Sequence, residues 1–108
     1  MKKDDYFVRI PISILRNEDL TRSSILVYAI LLDAADSYGM QFIGIDELAH
    51  RCRISPATVR RSERQLVEAG LISITRTGRE SLIRIIGMQS MLRQVSGYEA
   101  YNRSKKEA

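Results

Sequence analysis

The stretch from Ile45 to Gly70 holds two helical patterns separated by only a few residues, and nothing else in the chain limits its fold as tightly. Leu48, Ala49 and Cys52 supply the inward face of a brief helix that starts between Gly44 and Asp46 and ends close to Arg53. Ser55-Pro56 then opens a second helix. A serine hydroxyl there accepts a hydrogen bond from an orphan backbone amide, and proline suits the first helical position, where its missing N–H costs nothing. This helix runs to Gly70. At about 100° per residue, Val59, Ser62, Leu66 and Ala69 gather on one side, and Ala57, Arg60, Arg61, Arg64 and Glu68 on the other. Helices joined so closely must cross tightly. Ala49, ten positions before Val59, is small enough to allow the approach, while Leu48, Cys52, Ile54, Val59 and Leu66 fill the seam. The second helix is thereby presented outward, with three arginines on its free face.

The remaining segments supply a support. From Val8 to Ile14 apolar residues alternate with Arg9, Pro11 and Ser13, a period of two that predicts a short edge strand or an extended arm. Thr21 is a good N-cap for the first and longest core helix. Its stripe of Ile25, Tyr28, Ala29, Leu32 and Ala35 ends at Gly39, which suits a C-cap, with Asp36 interrupting the last turn. Met40 to Ile43 has the length and composition of a short strand. Leu71 to Thr75 and Ser81 to Ile86 are rich in β-branched residues and read as a hairpin joined by Arg76-Thr77-Gly78-Arg79-Glu80. Beyond Gly87, the residues Met88, Met91, Leu92, Val95 and Tyr98 recur at helical spacing. Two roles are open to this stripe: packing back onto the first helix, or a homodimer seam over residues 88–101. The polar stretch from Asn102 to Ala108 is expected to fray.

At 108 residues the chain suits one modest core, with residues 1–87 as the domain and residues 88–108 as an appended helix and polar tail. One His and one Cys cannot supply the roughly four ligands of a structural zinc site, so no metal is expected. The phosphate-cradling, nucleophile-elbow and metalloprotease strings are all missing, and the acidic residues form no constellation with a nucleophile, so neither catalysis nor a cofactor or small-molecule ligand is expected. The longest apolar stretch, Ile25 to Leu32, stops at Asp33, too short for a membrane span. A single cysteine, with no apolar leader, points to the reducing cytoplasm. The formal net charge of +4 is unevenly spread. Residues 10–50 carry two arginines against six acidic residues, whereas residues 51–86 carry eight arginines against three. The positive charge therefore coincides with the paired helices and the hairpin.

Two short helices joined by a tight turn, with alanine in the first and a β-branched residue ten positions on, make a helix-turn-helix. The string Ile45-Asp46-Glu47-Leu48-Ala49, through Ile54-Ser55-Pro56-Ala57-Thr58-Val59-Arg60-Arg61, to Leu66-Val67-Glu68-Ala69-Gly70-Leu71-Ile72 resembles bacterial winged helix-turn-helix proteins. Tyr6 to Ile14, Leu20-Thr21 and Val27-Tyr28-Ala29-Ile30-Leu31-Leu32 narrow the resemblance to the group found in plasmid replication initiators, phage replisome organisers and small regulators. It covers residues 6–86. It implies a mainly α, α+β fold: a three-helix core, a β-hairpin wing and, here, a C-terminal helix. In that family the helix after the turn enters the DNA major groove and the wing touches the backbone or minor groove. The matching positions are Ser55, Thr58, Arg60, Arg61 and Arg64, with Ala57 on the same outward face, and Arg76 and Arg79 on the wing. Arg53 stands where the family usually has a turn glycine, Gly44 where it usually has a serine cap, and Glu63 where it usually has an apolar residue.

Double-stranded DNA is thus the expected partner, in replication initiation or organisation, or in transcriptional regulation, on a chromosome, plasmid or phage. A bound molecule would associate with the nucleoid. The contrasting expectation is a protein-interaction module that uses the same scaffold without DNA. At single positions two roles stay open. Thr58 either reaches DNA or helps Ser55 cap the helix, Arg64 either contacts DNA or pairs with Glu68 one turn on, and Glu63 either pairs with a nearby arginine or faces a partner subunit. Cys52 is expected in the core and His50 on the surface.

Overall fold

The computed structural model describes residues 7–87. Its elements are α1 (Ile12–Leu15), α2 (Arg22–Ala34), β1 (Met40–Ile43), α3 (Ile45–Cys52), α4 (Pro56–Glu68), β2 (Ile72–Thr77) and β3 (Glu80–Ile85). The apolar stripe from Met88 to Tyr98 and the dimer seam expected over residues 88–101 lie outside the described residues.

Of the two readings of Val8 to Ile14, the edge strand is corrected. Residues 7–11 have no regular structure, and Pro11 then serves as N-cap of the single turn α1, whose Ile14 is buried. Proline at a cap has no amide to waste, so the local preference turns the chain into a helix rather than onto a sheet edge.

α2 begins as expected at Thr21, whose hydroxyl accepts from the Ser24 amide at 3.2 Å. It ends at Ala34, however, not at Gly39, because Ala35 is already extended with ψ 146°. Asp36 takes over the chain there. Its Oδ1 accepts from the amides of Tyr38 at 2.9 Å and Met40 at 3.0 Å, and Gly39, at φ 77°, completes the turn into β1. The buried stripe is also shifted: Ser24, Val27, Tyr28 and Leu31 face the core, while Ile25, Leu32 and Ala35 are partly covered. Residues 25–32 are apolar all round apart from the tyrosine hydroxyl, so periodicity within them cannot select one face.

α2, α3 and α4 pack on one another, and β2 lies against α4. Val27, Leu31, Leu48, Val59, Leu66 and Ile83 have no exposed surface and form the centre of the core. The sheet is antiparallel in the order β1-β3-β2, so the hairpin expected from the sequence acquires β1 as a third strand, with Met40 opposite Arg84 and Ile43 opposite Ser81. The hairpin turn is shorter than expected. Arg76 and Thr77 pair with Ser81 and Glu80, leaving only Gly78 and Arg79 to turn the chain. A positive φ of 73° at Gly78 allows this two-residue turn.

α3 and α4 end on the same backbone device. After α3 the amide of Arg53 reaches the carbonyl of His50 (3.3 Å) and that of Ile54 reaches Ala49 (3.1 Å). After α4, Gly70 reaches Val67 (3.0 Å) and Leu71 reaches Leu66 (2.9 Å). This double bond pattern needs a left-handed residue at its centre. Gly70 supplies it at φ 74°; in α3 it is Arg53, at φ 58°.

Candidate nucleic-acid interface

The turn through Arg53, Ile54 and Ser55 sets the direction of α4. Ser55 caps it: the hydroxyl accepts from the Thr58 amide at 3.1 Å and lies 2.8 Å from the Thr58 hydroxyl. Of the two roles open to Thr58, the structure shows the capping one. Val59, Ser62 and Leu66 seat the helix on the core, while Ala69 at its C-cap is exposed rather than inward. Ala57, Arg60, Arg61 and Arg64 are all exposed on the opposite side. Arg64 and Glu68 do not pair, and among the described residues no ion pair or hydrogen bond holds Arg60, Arg61 or Arg64. Three guanidinium groups thus stand exposed on one helix face, each offering a planar fork of donors.

The two wing arginines separate. Arg79 is exposed in the turn. Arg76, expected in that turn, is a strand residue; its Nη1 donates to Ser81 Oγ at 2.9 Å and its Nη2 lies 3.8 Å from Glu63 Oε1. The wing also approaches the start of α3, where a Cβ built on Gly44 would lie 3.4 Å from the carbonyl oxygen of Arg79. Glu63 itself is buried, and burial pushes its carboxyl above the usual range while Arg76 and then Arg60 pull it down. It therefore takes the first of its two expected roles, beside an arginine.

Cys52 is in the core and its thiol is pushed up by burial. His50 is exposed, and Arg51 pairs with Glu47 at 2.8 Å along α3. One structural hub escaped the sequence reading. Gln65 Oε1 accepts from the amide (3.2 Å) and hydroxyl (3.1 Å) of Thr21 and from the Ser24 hydroxyl, fastening the start of α2 to α4. Its only signal was a polar residue next to the inward positions Ser62 and Leu66.

With this geometry in view, a family-wide comparison decides the assignment: a family described as "Helix-turn-helix domain" matches residues 18–72. The chain belongs to that family. The helix-turn-helix match runs from the residues before α2 to the first residue of β2, so α3, the turn and α4 lie wholly inside it. No curated protein and no solved structure matches. DNA binding in general follows from helix-turn-helix membership, and the three-stranded sheet beside the helices makes this a winged α+β form. No helix among the described residues is long and apolar enough to cross a membrane.

Proposed function

We propose that this helix-turn-helix protein binds double-stranded DNA without catalysing any step, placing α4 in the major groove and the β2–β3 wing on the adjoining backbone, in replication initiation or organisation or in transcriptional regulation. The observation that carries it is the unpaired arginine face of α4, held outward by a capped turn and a packed seam. In this reading Arg60, Arg61 and Arg64 meet guanine edges or phosphates, Ser55, Ala57 and Thr58 line the entering end of the helix, and Arg79 touches backbone beyond it. A bidentate arginine on guanine is worth about 1–3 kcal/mol of discrimination.

Fluorescence anisotropy on duplex DNA across a salt series tests this, comparing wild type with the triple change Arg60→Ala, Arg61→Ala, Arg64→Ala. Wild type should bind at micromolar concentration or tighter at low salt and weaken steeply as salt rises, and the triple variant should lose most of that binding while keeping its fold. Wild type that ignores DNA at low salt would overturn the proposal and favour a protein partner. A footprint over direct repeats at an origin would then assign replication, and one over a promoter palindrome regulation.

A further inference from the structure

Glu63 is the odd residue of the interface. Its side chain is only 4% exposed, yet among the described residues Oε1 has no hydrogen-bond partner. It lies in a groove between α4 and β2 whose walls carry Arg60 and Arg64 from the helix and Arg76 from the strand, with Glu68 also lining it. Burying a carboxylate is costly unless it is paired, and the Arg76 guanidinium stands off at 3.8 Å with 63% of its side chain still in solvent. Arg76 is thus shared between a buried anion and the open side of the groove, where its neighbours are two further cations. Three arginines converging on one groove next to the exposed face of α4 make a seat for a dianionic or monoanionic oxyanion. A DNA strand lying along that face offers such groups at every nucleotide.

We propose that the groove between α4 and β2 seats a DNA backbone phosphate and that Glu63 governs its occupancy by competing for Arg76. The inference rests on the DNA-binding reading above. With Glu63 ionised, Arg76 is drawn toward the carboxylate and only part of its charge serves the phosphate. With Glu63 protonated, Arg76 is released to it. A docked phosphate in turn neutralises the arginines that keep the carboxyl ionised, so binding draws a proton onto Glu63. The charges acting on Glu63 are Arg76 from β2 and Arg60 from its own helix, with Arg64 and Glu68 along the same groove and the neutral Ser81 hydroxyl behind Arg76 on β3. Proton uptake on binding means affinity rises as pH falls through the titration of Glu63, by at most one logarithmic unit per pH unit.

The test measures DNA affinity from pH 5 to pH 8 at constant ionic strength for wild type and for Glu63→Gln, on the same duplex. Wild type should tighten severalfold toward low pH; Glu63→Gln should bind with the low-pH affinity throughout and show a salt dependence steeper by up to about 0.9 in log–log slope, as expected for one more phosphate contact. Every ionisable group other than Glu63 is common to both proteins, so the difference between the two profiles isolates Glu63. Calorimetry in two buffers of different ionisation enthalpy counts the protons directly: uptake by wild type that is missing in Glu63→Gln supports the competition, and equal uptake overturns it. Arg76→Ala supplies a second check, made both alone and together with Glu63→Gln. It should weaken binding and erase the difference in pH profile that Glu63→Gln otherwise makes; a difference that persists without Arg76 overturns the assignment. Absence of DNA binding by either protein at low salt would instead defeat the DNA-binding reading itself.

Discussion

At the level of single residues, the sharpest contrast lies between Arg53 and Gly70, which do the same backbone work at the ends of α3 and α4. A side chain in the left-handed region costs roughly 1–2 kcal/mol, partly offset when glycine is substituted because glycine gains unfolded-state freedom. Arg53→Gly should therefore stabilise the domain by about 0.5–1 kcal/mol. A rise in the urea midpoint with an unchanged slope is the expected result. Glu63 gives a stability effect of its own. Its folded carboxyl titrates above the unfolded value of about 4.5, so it favours folding fully below that value and loses this contribution as pH rises through the folded titration. Glu63→Gln should consequently gain stability over wild type between acidic and neutral pH, and parallel thermal melts at several pH values would check the sign.

Among the elements, the fastening of α2 to α4 depends on one side chain. Gln65→Ala would strip three donors of their acceptor, including the fully buried Ser24 hydroxyl, at a cost of about 1–3 kcal/mol. Hydrogen exchange should quicken first at the start of α2. The same hub shows why some features could be read from the chain and others could not. α3, its turn and α4 were legible because Ala49, Ser55-Pro56 and Gly70 are local signals, each acting within a few residues of where it stands. The boundaries of α2 were not: its apolar run leaves the buried face to be chosen by α3 and α4, and its end by the side chain of Asp36. The arginines of α4 were legible from periodicity, whereas the reach of Arg76 to Ser81 and Glu63 depends on register between β2 and β3 and on Glu63, a relation across distant residues that no local pattern encodes.

Across the whole molecule, Cys52 offers a probe of global opening, since it lies in the core seam of α3 and its thiol is held protonated by burial. A thiol reagent at neutral pH should leave the native protein unlabelled and react promptly once urea has unfolded it; rapid labelling of the native state would show that α3 opens locally. Strand order carries a consequence for how the protein is made. β3, the last strand described, occupies the middle of the sheet, and β1 and β2 have no edge in common. A nascent chain that has emerged only as far as Thr77 therefore holds two strands without the strand that pairs with both. Met40 pairs with Arg84, so β1 waits for a partner that is made some forty residues after it and emerges only after Thr77. The arginine helix is complete before the sheet that steadies it, so a chain cut after Thr77 should fail to fold cooperatively, whereas one ending beyond Gly87 retains every described strand.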